Sequence, residues 1–381
     1  MVIHADAPQA TDPKPAAYDV KSYLPLIQGK RVAMVVNQTS TIHKRHLVDS
    51  LLKLKVNITK VLTPEHGFRG DADAGEKVKS SMDESTGIFM ISIYGDHRKP
   101  TAEDLHDIDV VLFDVQDVGV RFYTYIATMT LVMEACAEQH LPVILLDRPN
   151  PNGYYVDGPV LKKEFQSFVG MHPVPVVYGL TIGEYARMVN GEGWLSNKVK
   201  CDLTVIPCKN YDHTMTYDLP VRPSPNIVSL KATLLYPSTC FFEGTTCSEG
   251  RGTPIPFVCF GHPKYTGGDY TFTPVSMAGA KTPKLQDQKC NGYNLSSLSI
   301  EEIRSWKRIN LKWLMMMYQG LKTQDPFFLS NNFINKLAGN KDLQEQIKAG
   351  KTEDEIRAGW KNDLDSYKLM RKKYVMYKDF E

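Results

Sequence analysis

The chain has 381 residues, with 45 Lys and Arg against 43 Asp and Glu and a formal net charge of +2. Hydrophobic residues make up 42 % and charged residues 23 %, a globular composition that excludes a disordered or collagen-like chain and leaves room for two domains. Acids and bases are interspersed and the longest basic run is Arg371-Lys372-Lys373, read as a solvated helix face, so nucleic acid is not the expected partner. No run of ~18 apolar residues is present, so no membrane-spanning helix is expected.

Residues 1–15 are polar and rich in Pro and Ala, without the apolar stretch of a signal peptide. Residues 1–22 are read as an N-terminal linker. Alternating strands and helices follow. Residues 31–37 (RVAMVVN) form a buried strand, 46–56 a helix and 58–63 (ITKVLT) a second strand. Residues 88–94 (IFMISIY) form a third strand or a hairpin arm. Residues 109–115 (DVVLFDV) and 142–147 (PVILLD) form buried strands on either side of a long helix over 122–140. Thr181-Ile-Gly-Glu184 is a capping box that opens another helix, and 202–206 is the expected last strand. This order predicts an α/β fold, a Rossmann-like, mostly parallel sheet over residues 23–207 with helices on both faces.

After Pro207 the character changes. Residues 220–283 carry many Pro, Gly, Thr and Ser and are read as loops with short strands. Capping boxes at Ser299-Ile-Glu-Glu302 and Thr352-Glu-Asp-Glu355 open helices of roughly five turns. Residues 208–381 are therefore expected to form a smaller α+β C-terminal domain, with a cleft between the two domains.

In an open parallel sheet, ligands bind beyond the carboxyl ends of the strands. Those exits carry Asn37 and Gln38, then Glu65 and His66, then Gln116, Asp117 and Arg121, then Arg148 and Asn150. Turns favour Gly, Asn, Asp and Ser; Glu, Gln, His and Arg have no such turn role, which points to a shared site. There is no GxGxxG, no GxxxxGK[ST], no GxSxG and no HExxH, so neither a nucleotide cofactor nor a catalytic metal is expected. The seven cysteines are odd in number and lack CxxC spacing, which supports neither a disulfide framework nor a zinc knuckle.

Glu65, held between Pro64 and His66-Gly67, is the candidate general acid or base. His66 orients it or contacts a hydroxyl. A second dense segment, 241–253, holds Glu243, Ser248, Glu249, Arg251 and Thr253 among glycines that let backbone amides approach a ligand. Glycoside hydrolysis generally needs two carboxyl groups flanking the bond. Glu65 would face Glu243 or Glu249, with Asp117 a further candidate. Tyr123 and Tyr125, placed at the start of the long helix, cannot share one face of it, so one would line the site and the other pack inward. The competing readings are a sugar- or peptide-binding protein without catalysis, and an amidase or esterase using Cys247 or Ser248.

TPEHGFRG (63–70), DVQDVGVRFYTY (114–125), LDRPNPNG (146–153), RPSPNI (222–227) and FEGTTCSEGRGT (242–253) together resemble the exo-β-N-acetylmuramidase family of NamZ/YbbC type. The resemblance implies a Rossmann-like domain joined to a smaller C-terminal domain. It implies release of terminal N-acetylmuramic acid from the non-reducing end of a peptidoglycan-derived glycan or muropeptide, with no cofactor. For that substrate Arg121, Arg148 or Arg251 would bind the lactyl carboxylate bidentately. Asn37, Gln38, Gln116, Asn150 and Asn226 would read hydroxyls and the acetamido group. Catalysis would use two protein carboxyls, or alternatively the substrate's own acetamido group. The substrate implies a periplasmic or cell-envelope location, with the cytoplasm as the alternative.

Overall fold

A computed structural model of the chain describes residues 12–68, 80–324 and 326–381. Residues 1–11 of the expected N-terminal linker, and the Arg69-Gly70 end of the TPEHGFRG motif, lie outside these residues. The first part of the chain runs through α1 (Val20–Ile27), β1 (Arg31–Val36), a small hairpin of β2 (Thr41–Ile42) and β3 (Arg45–His46), and α2 (Leu47–Lys53). It continues through β4 (Asn57–Thr63), β5 (Ser81–Met82), β6 (Phe89–Ser92), β7 (Val110–Asp114), α3 (Tyr125–Glu138), β8 (Val143–Leu146), α4 (Ile182–Gly191) and β9 (Leu203–Ile206).

Seven of these strands form one sheet in the order β5-β6-β4-β1-β7-β8-β9, parallel throughout except for β5. Each strand is a short apolar run because both faces of the sheet are covered. Val32, Met34 and Val36 of β1 pack with α1 and α2, while Ala33 and Val35 point into the opposite core, which contains α3 and α4. The chain fills β4 and β6 on one side of β1 and then crosses to β7 on the other. Its carboxyl ends therefore open at a switch in strand order, where such sheets bind ligands.

The second part begins with α5 (Leu230–Thr239), in the stretch expected to be irregular. Ser229 caps it by accepting from the Ala232 amide at 3.1 Å. Pro237 lies inside this helix and cannot donate to the carbonyl of Thr233; the Asn152 side chain donates to that oxygen instead, at 3.1 Å. A three-stranded antiparallel sheet follows, with order β10-β12-β11, from β10 (Cys259–His262), β11 (Tyr270–Phe272) and β12 (Cys290–Asn294).

The chain ends in short helices: α6 (Ile300–Ser305), α7 (Lys312–Leu321), α8 (Phe333–Ala338), α9 (Asp342–Lys348), α10 (Glu353–Ala358) and α11 (Lys361–Arg371). The helices opened by Ser299 and Thr352 are six residues each, not the five turns expected. Apolar spacing continues past them in α7 and α11, which makes the separate pieces read as longer helices. The two parts share one apolar core.

Candidate active site

β4 delivers Glu65 to the carboxyl edge of the sheet. The turn after it is tight: the Gly67 amide donates to the Pro64 carbonyl at 3.0 Å, and His66 and Gly67 both take positive φ, 69° and 73°. A histidine in the left-handed region is costly and persists only where its surroundings hold it. Here it directs the Glu65 side chain across the strand ends. Tyr94, just past β6, donates its hydroxyl to Glu65 Oε1 at 2.9 Å, and Thr124, just before α3, donates to Oε2 at 2.8 Å. Both carboxyl oxygens are thus oriented from opposite sides.

Glu65 and His66 line a cavity of about 330 Å³. Its aromatic walls include Phe122, Tyr123, Tyr236 and Phe257, and Glu243 and Arg251 from the second part of the chain face the same space. Glu243 lies in a short 3-10 turn (Cys240–Gly244) directly after α5. Arg251 Nη2 donates to Glu243 Oε1 at 2.6 Å, while its Nε lies 3.3 Å from Glu249 Oε1. Behind them Lys284 Nζ pairs with Glu249 Oε2 at 2.8 Å. Charges of alternating sign therefore run from the partly exposed Lys284 through buried Glu249 to the cavity. Burial would raise the Glu249 pKa, but Lys284 and Arg251 outweigh it and hold the carboxyl below its ordinary value.

Of the three expected catalytic carboxyls, the structure brings Glu65 and Glu243 to one cavity. Glu249 is 2 % exposed and does not line it; its ion pairs fix Arg251. Asp117 is also sealed inside, accepting from the Gly119 amide at 2.6 Å and from the Tyr178 hydroxyl. Burial raises its pKa to about 6.

Most of the expected sugar-reading residues are occupied elsewhere. Arg121 donates to the carbonyls of Pro159, Val174 and Leu337 at 2.7–2.8 Å. Arg148 forms a buried fork with Asp114 at 2.6 and 2.8 Å. Neither guanidinium reaches the cavity, which corrects their expected role as carboxylate ligands.

The amides tell the same story. Asn37 donates to the Tyr125 hydroxyl at 2.9 Å, Gln116 to the Asp117 and Pro149 carbonyls at 2.8 Å, Asn150 to Leu180 at 2.7 Å and Asn226 to Gly279 at 2.7 Å. Gln38 donates to the Arg222 and Pro223 carbonyls at 3.2 Å. They tie loops together rather than lining the cavity. The physical reason is that these exits are buried, and buried backbone carbonyls need donors.

Ser248 and Thr253 likewise close turns within their own loop, through the Gly250 amide and carbonyl. Gly250 and Gly252 have positive φ, and a Cβ there would strike the protein's own backbone at 2.8 and 2.7 Å, so their openness serves internal packing, not a ligand. The expected geometry of the tyrosine pair also changes. Tyr123 precedes α3, so the helical-face rule does not apply, and the two rings meet edge to face at 4.9 Å. Tyr123 lines the cavity and donates to the Pro223 carbonyl at 2.7 Å; Tyr125 lies beneath it.

Tyr94, Thr124, Arg98 and Phe168 line or support the cavity without having been among the expected site residues. Tyr94 closes the apolar run 88–94, so the strand-exit rule, applied to that strand, points to it. Arg98 and Phe168 carry no local signal, because a long loop brings Phe168 to within 4.4 Å of the guanidinium. Among the described residues Arg98 forms no ion pair. The thiol rival fails on burial: Cys247 is fully buried and its pKa is pushed up to about 12.

Family models describing exo-β-N-acetylmuramidase NamZ match this chain in two consecutive pieces, the N-terminal one over residues 32–231 and the C-terminal one over 234–377. The chain belongs to the NamZ family. It is 38 % identical over 373 residues to the peptidoglycan β-N-acetylmuramidase NamZ of Bacillus subtilis strain 168, covering 93 % of this chain and 89 % of that protein. Two crystal structures of DUF1343 family proteins from Bacteroides fragilis NCTC 9343 have similar folds. One is 45 % identical with a TM-score of 0.90, covering 97 % of this chain and 100 % of the other. The second is 29 % identical with a TM-score of 0.81, covering 96 % and 99 %. The NamZ models meet between residues 231 and 234, at the start of α5.

Proposed function

We propose that this protein is an exo-acting β-N-acetylmuramidase that releases terminal N-acetylmuramic acid from the non-reducing end of peptidoglycan fragments. The observation that carries the reading is the meeting of Glu65, from the sheet edge, with Glu243, from the loop after α5, on one aromatic-walled cavity. Glycoside hydrolysis requires such a pair, one group transferring a proton and the other acting at the anomeric side. Glu65 is the proton-transferring group, oriented by Tyr94 and Thr124; Glu243 is the second carboxyl, oriented by Arg251. The aromatic walls exclude water and offer flat faces to a sugar ring. Arg98, on the cavity rim without a carboxylate partner among the described residues, is the ligand for the lactyl carboxylate. The substrate places the enzyme in the cell envelope, which is part of the same proposal.

Release of 4-nitrophenol from 4-nitrophenyl N-acetyl-β-muramide tests this. The native protein should turn the glycoside over, and Glu65→Gln and Glu243→Gln should each fold normally while lowering kcat by ~10²-fold or more. Tight binding of the glycoside without turnover by the native protein would make it a binding protein instead.

A further inference from the structure

Beside the catalytic cavity lies a larger one of about 500 Å³, and Arg98 and Phe168 line both. The Arg98 guanidinium lies 4.4 Å over the Phe168 ring, so this stacked pair forms the wall between them. From there the cleft follows the flank of α3. Thr124, at the head of that helix, faces the first cavity, while Leu131 and Glu134 face the second. At 1.5 Å of rise per residue, Thr124 and Glu134 are roughly 15 Å apart along the axis.

The opposite wall is aromatic. Trp194 is half-buried, and the His172 imidazole stacks on it at 5.1 Å with 16° between planes. His172 is itself fixed by a 3.1 Å hydrogen bond between Nδ1 and the Tyr185 hydroxyl. The indole is therefore clamped from one side and lines the cleft with what remains. The end of the cleft at Glu134 is acidic. Lys99 pairs with Glu134 at 2.5 Å and with Glu138 at 2.8 Å, one ammonium for two carboxylates.

Leu131, Glu134, His172 and Trp194 line only this second cavity and take no part in the chemistry at Glu65 and Glu243. We infer that this cleft binds the leaving sugar, a neutral N-acetylhexosamine on the reducing side of the bond that is cut. The inference rests on the glycosidase reading. An enzyme that encloses one terminal residue needs room for the rest of the chain next to it, and the two cavities adjoin at the Arg98–Phe168 pair, whose Arg98 side chain is exposed. A pyranose ring lays its C–H face on a flat aromatic surface, and a rigid indole offers one at little entropic cost. The acidic end disfavours a carboxylate-bearing stem peptide and tolerates an uncharged sugar.

The test compares two substrates, the disaccharide of N-acetylmuramic acid β-linked to N-acetylglucosamine and methyl N-acetyl-β-muramide, in the native enzyme, Trp194→Ala and Ser196→Trp. Ser196 is an exposed residue of the cleft, so filling the cleft from there spares the core if Trp194→Ala folds poorly. The ratio of kcat/KM for disaccharide over methyl glycoside should fall roughly tenfold or more in both variants, with KM taking most of the loss. An unchanged ratio in folded Ser196→Trp, or equal losses on both substrates, would overturn the inference. Failure of the native protein to hydrolyse either substrate would instead sink the glycosidase reading, which keeps the two outcomes apart.

Discussion

Arginine residues of this protein divide by what surrounds the guanidinium, and that division predicts what each does. Arg121 is 1 % exposed, its guanidinium donates to carbonyls alone among the described residues, and burial lowers its pKa to about 9. One of those carbonyls, Leu337, belongs to α8, so this side chain ties the C-terminal helices to the sheet. Arg121→Met leaves several buried carbonyls without a donor and should cost about 3 kcal/mol in urea unfolding, with little change in sugar preference. Arg98 is the reverse case. It is exposed, and its loss should barely move stability. Arg98→Gln should instead reduce the preference for aryl N-acetyl-β-muramide over the matching N-acetylglucosaminide by roughly tenfold to a hundredfold, the worth of one charge-assisted hydrogen bond. A preference that survives the substitution would remove Arg98 from lactyl recognition.

Elements of the sheet were legible in the sequence because parallel strands covered on both faces are plain apolar runs. The capping box at Thr181 was legible too, and the structure has both of its reciprocal bonds. Helix α5 was not. Its internal Pro237 and its Ser and Thr content argue against a helix, and the compensation comes from Asn152, some eighty residues earlier in the chain. The strand-exit rule had a similar limit. It pointed to Glu65 and His66, but it also gathered Asn37, Gln116, Arg121, Arg148 and Asn150, whose polarity serves buried loops. Residue type alone does not separate a side chain aimed at a ligand from one aimed at a carbonyl. Asn152 makes the point testable. Its amide also donates to the Val118 carbonyl at 2.9 Å, so Asn152→Ala strands two buried acceptors and should cost about 1–3 kcal/mol in urea unfolding. Because α5 carries Tyr236 and leads directly into Glu243, kcat should fall along with stability.

Across the whole molecule, the C-terminal helices and the tail after α11 are bound to the first part of the chain by buried polar contacts as well as by the common core. Arg357 pairs with Asp157 at 2.9 Å, the Tyr367 hydroxyl donates to the Tyr178 carbonyl at 2.7 Å, and the Tyr377 hydroxyl donates to Asp147 at 2.6 Å. Tyr178 in turn donates its own hydroxyl to Asp117, so this carboxyl stands at the junction of the two parts. Only one of its oxygens is served: Oδ1 is buried with no hydrogen-bond partner among the described residues. Burial therefore favours the protonated form and raises the pKa from 3.8 to about 6, against the pull of Tyr178 and Gly119. The folded state holds this proton more tightly than the unfolded chain does. The stabilisation is fully present below about pH 4 and is lost as the pH rises through about 6, an amount of at most about 3 kcal/mol for one group. Asp117→Asn keeps an oxygen for the two donors and cannot ionise. Its melting temperature relative to the native protein should therefore rise steadily between pH 4 and pH 7 and level off above that. A difference that stays constant across the range, measured by scanning calorimetry, would mean that Asp117 is ionised in the folded protein throughout.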